Sequence, residues 1–488
     1  MIRRNLLHLG LAGTVTSMVL PPTALAAPGA TPSRVGPLPV TCPSGAIIVN
    51  NGSNIQTAMN AAGPGASLCI KQGTYRPSAP LKPLSGQVLT FESGAIVSGA
   101  QVVSNWTKQG SNWMLGGQTQ DFSSAPWLDY LCTDNPAACV YEDLFMDDKP
   151  MQHVLSLSNL GPGKTYFDKG ADRMYIADNP VGHKMEVTRL TMGVDSSVSN
   201  VTIRGGTFEK FAWKGLKVTG NGWTIEDGEF RYVHALGLSL SGANHIVRRN
   251  YVHDNGALGI GLMDGSGVVF DSNEVAFNNY LRFGHRPIPH NEGGAKIMRS
   301  PNTTVRGNNV HDNDGNGWWF DTGNKGSLVE SNTFANNSCF GFYYEVSFDA
   351  VVRNNIFRAN SVGTTGWLGG GMRVANSTNV EAYGNTFDLN GYGPFLATWV
   401  DREVGTQTTG LYFHDNTVNM VGGLVGSKEG KVQIGSPSSN NRFQHNTYRV
   451  SDLTRQWWIW PLNGKFQRMN WTTWRSLGFD TTGTIALR

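Results

Sequence analysis

Asp321 and Glu345 each close an aromatic run, Trp318-Trp319-Phe320-Asp321 and Phe342-Tyr343-Tyr344-Glu345, and each run opens on a glycine, Gly317 or Gly341. Paired carboxyl groups are what nucleophilic or acid/base attack on a glycosidic bond requires, and aromatic faces are suited to stacking on sugar rings. Two cations stand at the matching place in runs of the same kind: Lys296 two residues after Gly294 and Arg373 two residues after Gly371. Aligned through the glycines, residues one and three places on are nearly all apolar (Ala295 and Ile297, Trp318 and Phe320, Phe342 and Tyr344, Met372 and Val374). A strand alternates its faces, so these should point inward and the residues two and four places on should point out. The expected result is an exposed strip on consecutive strands that carries Lys296, Trp319, Tyr343 and Arg373 beside Asp321 and Glu345. The same columns begin blandly, with Lys217, Thr219, Ser239, Ser241, Gly261 and Met263.

Neighbouring strands lie about 4.8 Å apart, so Asp321 and Glu345 should emerge side by side. Carboxyl groups about 5 to 5.5 Å apart serve retaining glycosidases and those about 6.5 to 9.5 Å apart inverting ones, which tilts the pair towards retention. In that scheme Asp321 attacks the anomeric carbon and Glu345 donates to the leaving oxygen. Taken singly, Asp321 also fits a turn in Phe320-Asp321-Thr322-Gly323-Asn324, and Glu345 fits a solvated strand end. Their shared column is what favours chemistry.

Other residues frame the strip. The segment Tyr280 to Glu292 lengthens one repeat and should wall the same cleft, which makes His285, His290 and Glu292 candidates for binding substrate; a loop packed by Pro and His without chemistry is the equal alternative. Asp312-Asn313-Asp314-Gly315-Asn316 has a calcium-loop look without the terminal Glu, and reads better as an Asn/Asp turn. No metal site and no cofactor are implied.

A repeated architecture must hold such a column. Ile203, Ile225 and Val247 lie in matching segments spaced by 22 residues, and the column continues through Phe270, Val305, Val329 and Val352. A second column carries Asn273, Asn308, Asn332, Asn355 and Asn385. Each copy holds about three short strand-like pieces and lacks a leucine-rich-repeat framework, so the expected fold is all-β: a right-handed parallel β-helix with three strands per turn, asparagine ladders in its turns and capped ends. The expected division is a signal peptide over 1–26, an N-terminal cap with the first coil turns over 27–104, and a small inserted β module over 105–195. The cleft-bearing coil should follow over 196–435, and a Trp-rich cap over 436–488. Ile55 to Met59 should start the first cap, while Trp457, Trp458, Trp460, Trp471 and Trp474 should plug the far end, a sugar platform being the other reading.

Met1-Ile2-Arg3-Arg4, an apolar run to Leu20 and Ala24-Leu25-Ala26 have the order of a cleavable export signal, so a secreted, extracellular protein with no membrane contact after cleavage is expected. The net charge of +3 shows no basic stripe, which argues against nucleic acid. Five cysteines in an exported chain suggest disulfides; Cys42–Cys69 and Cys132–Cys139 are the nearest pairs, leaving Cys339 as a buried apolar residue. The expected partner is a carbohydrate; oligomeric state is left open.

Over roughly Ile203 to Asn390 this repeat resembles the pectin-lyase-like superfamily of right-handed parallel β-helices. It is most similar to retaining β-helix glycoside hydrolases such as the β-helix β-xylosidases, which have a small inserted β module and an Asp and a Glu on neighbouring rungs. The resemblance implies those roles for Asp321 and Glu345. Two other functions fit the same columns: a polysaccharide lyase or uronate epimerase, with Lys296 or Arg373 neutralising the uronate, and a non-catalytic carbohydrate-binding solenoid.

Overall fold

The computed structural model describes residues 35–122, 132–133, 135–284, 292–362, 369–402 and 405–488. The expected export signal lies outside them. Among the described residues the strands form two long sheets, of 24 and 12 strands, and two small ones. The sequence period is the rung of a coil: Ile203 pairs in parallel with Ile225, Ile225 with Val247, Val247 with Phe270, and Phe270 with Val305 across the lengthened repeat. Each rung has three strands, as in Thr224–Glu226, Glu229–Arg231 and Leu236–Ala243. Their inward residues stack into one continuous apolar core.

Asparagine ladders fix the corners. From Asn250 through Asn273, Asn308, Asn332, Asn355, Asn385 and Asn416 to Asn446, each Nδ2 donates to the Oδ1 of the next at 2.9–3.1 Å. A second ladder, which the sequence columns did not separate out, runs from Asn255 through Asn278, Asn313, Asn337 and Asn360 to Asn390 at 2.9–3.0 Å. The residue before each rail asparagine takes the left-handed conformation, as at Asp254 (φ 48°), Phe277 (φ 56°) and Ser331 (φ 57°), a strained corner that the ladder bonds hold. The second ladder also explains the glycine column. A Cβ on Gly317 would lie 2.5 Å from the Gly341 carbonyl oxygen and 2.8 Å from Asn337 Nδ2, so no larger residue fits. Asn313 therefore serves the coil, and Asp312 is held by His311 at 2.7 Å, which accounts for the calcium-like stretch as a turn.

Both ends of the coil are covered. Helix Ile55–Ala62, capped by Asn54 Oδ1 on the Thr57 amide at 2.9 Å, buries Ile55 and Met59 against the first rungs. At the far end Trp457, Trp458, Trp460 and Trp474 enter the same core, beneath the antiparallel hairpin of Trp458–Leu462 and Lys465–Met469 and the helix Trp471–Ser476. Between Ala100 and Thr188 the chain leaves the coil to build a five-stranded and a four-stranded sheet, and Met192–Ser196 resumes the coil. Ion pairs moor this module: buried Lys210 Nζ lies 2.5 Å from both half-exposed Asp148 and buried Glu186, and His234 Nδ1 lies 3.0 Å from Asp143. Both nearest-neighbour disulfides are formed, with Cα separations of 5.5 Å for Cys42–Cys69 and 5.7 Å for Cys132–Cys139. Cys339 is buried, and burial pushes its thiol up to about 12. No helix among the described residues is long and apolar enough to cross a membrane.

Candidate active site

The strands Gly293–Met298, Asn316–Asp321, Phe340–Glu345, Gly370–Ala375 and Phe395–Thr398 are consecutive members of the 12-stranded sheet. Their register sets Lys296 beside Trp319, Trp319 beside Tyr343 and Tyr343 beside Arg373. Phe320 pairs with Tyr344, so Asp321 and Glu345 come next in line on adjacent strands. The alternate residues Trp318, Phe320, Phe342 and Tyr344 belong to the coil core, whereas Trp319 and Tyr343 belong to a separate apolar cluster on the other face. The column therefore leaves the coil on its outer side.

It is not exposed, however, and here the expectation needs correction. Asp321 is only 3% exposed, Glu345 5%, Arg373 8%, Trp319 3% and Tyr343 2%. Later segments of the chain close over the strip: Leu424 and Ile459 pack into its aromatic cluster, and Arg402 reaches the carboxylates. Alternation within a strand tells which face a side chain leaves by, but says nothing of what folds back over that face.

Arg402 is the residue that sequence reasoning missed. Its Nη2 lies 3.1 Å from Asp321 Oδ1, and its Nη1 pairs with Glu345 Oε1, so one guanidinium bridges both carboxylates. Burial alone would lower its pKa, but the hydrogen bond and charge of Glu345 and the charge of Asp321 raise it. Lys296 Nζ completes Asp321 from the other side at 3.1 Å, while lying 3.8 Å from the centre of the Trp319 ring. Trp319 and Tyr343 stack with centroids 5.4 Å apart and planes 8° apart. Burial drives the Tyr343 phenol well above its ordinary range, and the Glu345 carboxylate adds to this against the pull of Arg373. Arg373 lies 5.2 Å from the Tyr343 ring and 3.4 Å from Glu429. Glu345 Oε2 has no hydrogen-bond partner among the described residues.

A groove of about 500 Å³ runs along the same outer face from the strand of Lys214 to the strand of Lys296 and Met298, and Lys296 pairs with Asp321 at 3.1 Å. Its floor is made from the bland start of the columns, including Lys217, Ser239, Gly261 and Met263. Glu292 lines it as well, at the described end of the lengthened repeat. His285 and His290 lie outside the described residues. Among the described residues no group of three or more His, Cys, Asp or Glu is placed to hold a metal ion.

A sequence profile for the right handed beta helix region matches residues 193–283, 214–387 and 278–418. No curated protein is matched by the chain. Among solved structures, 46 chains match. One is the complex of XylC with xylose, with a TM-score of 0.53 at 15% identity over 81% of this chain and 80% of that one. A mannuronan C-5 epimerase A-module, AlgE6 of Azotobacter vinelandii, aligns with a TM-score of 0.47 at 14% identity over 88% of this chain and 93% of that one. A structure described as a glycoside hydrolase aligns with a TM-score of 0.44 at 11% identity over 72% of this chain and 96% of that one. At these identities the likeness is one of fold.

Proposed function

We propose that this right-handed parallel β-helix, which resembles the pectin-lyase-like superfamily, is an exported, carbohydrate-active enzyme that hydrolyses glycosidic bonds with Asp321 and Glu345. The observation that carries the reading is the buried carboxylate pair on adjacent outer strands, bridged by Arg402 and floored by two stacked aromatic rings. Two like charges shut away from water are costly unless a cation shares them, and a structural role would be met as well by apolar residues. Their side-by-side register under a single guanidinium suits the shorter, retaining separation of about 5 to 5.5 Å.

Asp321, held by both Lys296 and Arg402, is kept as the carboxylate that attacks the anomeric carbon. Glu345 shares only Arg402 as an ion-pair partner among the described residues and keeps Oε2 unbonded, which leaves an oxygen to carry the proton for the leaving group. Trp319 and Tyr343 offer the ring faces. Export follows from the signal-like N-terminus and from disulfides that persist outside the reducing cytosol. The xylose bound by XylC makes xylo-oligosaccharides a sensible first substrate.

The test is turnover of a glycan panel by the wild type, Asp321→Asn and Glu345→Gln, with anomeric configuration followed by NMR. Retained configuration in the product, lost in both variants, supports the reading. Release of unsaturated, ultraviolet-absorbing product would transfer the site to β-elimination, although a Tyr343 phenol pushed so high makes a poor base for that step.

A further inference from the structure

Lys214, Lys217 and Lys296 line the groove, against the single carboxylate of Glu292. Two of the three lysines already have an acidic partner: Lys217 lies 3.1 Å from Asp195 and Lys296 lies 3.1 Å from Asp321. Lys214 has none among the described residues; its Nζ sits 4.7 Å from the centre of the Trp213 ring. Burial, with the charge of Lys217 added, lowers its pKa to about 8. The charge of Asp195, which pairs directly with Lys217, offsets this only in part, and in a groove open to ligand an anion is what would complete the half-buried ammonium.

The placement narrows the ligand. Lys214 stands four strands of the sheet from Asp321, about 19 Å measured across the strands, in register with Asn316 rather than with Asp321 itself, and the groove runs from Lys214 to Lys296, which pairs with Asp321. Gly261 brings no side chain to the floor, and Ser239 and Ser241 bring hydroxyls, so an extended polar chain can lie along it. We infer that the groove binds the remote portion of an oligosaccharide bearing an anionic substituent, carboxylate or sulfate, with Lys214 as the residue that selects for the charge. This rests on the glycosidase reading only for which bond is cut, since the charge selection is a property of the groove.

Titration calorimetry on the full chain tests it with hexamers of oligogalacturonate, oligomannuronate and a sulfated galactan, each beside its carboxyl-reduced or desulfated counterpart. The expected result is preference for the charged member of at least one pair by about tenfold or more, the worth of one charged hydrogen bond, weakening with salt. Lys214→Met removes that preference and leaves the neutral counterpart unchanged, while Lys214→Arg keeps it. The arm that shows the preference identifies carboxylate or sulfate. Equal binding of charged and neutral members in every pair overturns the inference, as does a preference that survives in Lys214→Met. A groove that discriminates by charge while Asp321→Asn turns over the same oligosaccharide normally would sink the glycosidase reading and leave this one standing.

Discussion

Replacing Arg402 by Met takes away the one cation that touches both carboxylates. Asp321 keeps Lys296, whereas Glu345 is left with no ion-pair partner among the described residues, at 7% side-chain exposure. Stranding one member of a fully buried pair costs about 3–5 kcal/mol, but an exposed pair is worth only about 0–1 kcal/mol. Arg402 is 35% exposed, so its interaction belongs between these limits, at about 1–2 kcal/mol. At about 1.4 kcal/mol per factor of ten, Arg402→Met lowers kcat/KM by about tenfold, and Arg402→Lys recovers part of the loss. The assay is initial rates on any glycan the wild type cleaves, with thermal unfolding as a control for folding. An unchanged kcat/KM in a folded Arg402→Met protein would refute the bridging role.

Glu345→Gln keeps shape and loses the transferable proton; kcat falls about 10²- to 10⁴-fold on substrates with poor leaving groups, and far less on an activated aryl glycoside. The Asp143–His234 contact that moors the module should make stability pH-dependent in both directions. Burial would lower the His234 pKa, but the charge and hydrogen bond of Asp143 raise it, so its contribution is whole below the unfolded value of 6.5 and is lost as pH rises through the higher folded value. Burial would raise Asp143, yet the two histidines lower it, so its contribution is present above 3.8 and lost as pH falls through the lower folded value. Denaturant midpoints for the wild type and His234→Gln across pH 3 to 9 check this, and parallel curves would contradict it. Asn332→Ala strands the Asn308 amide and leaves the Val305 carbonyl unpaired, for a loss of about 1–3 kcal/mol by chemical denaturation.

The coil could be inferred from sequence because its rules are local and recur. A two-residue alternation sets the face, and a repeat of Ile203, Ile225 and Val247 sets the rung. Those two rules also put Asp321 beside Glu345 and Lys296 beside Trp319, as the strand register has them. What escaped is whatever depends on segments distant in the chain. Arg402 comes 81 positions after Asp321, just past the strand Phe395–Thr398, where nothing periodic marks it. The burial of the site is likewise produced by Leu424, Ile459 and Arg402 folding back. The groove was hidden for the opposite reason: Ser239, Gly261 and Met263 look featureless, and smallness is what makes a hollow floor. The second asparagine ladder stayed unseen because its rungs share every turn with the leading glycines.

Each rail asparagine hands a hydrogen bond to its successor, so a stack of them has a sense of direction and an unanswered donor at its last member. Here that member is Asn446, and the residue that meets it is a carboxylate: Asp480 accepts from the Asn446 side chain at 2.9 Å, from the Tyr448 hydroxyl at 2.9 Å and from Trp474 Nε1 at 3.0 Å. A group that only accepts is a terminator, and no further asparagine could replace it without leaving another donor unmet. Whole turns can therefore be gained or lost upstream while the stop stays intact, which gives a molecule of this construction a way to lengthen or shorten its groove without redesigning either end.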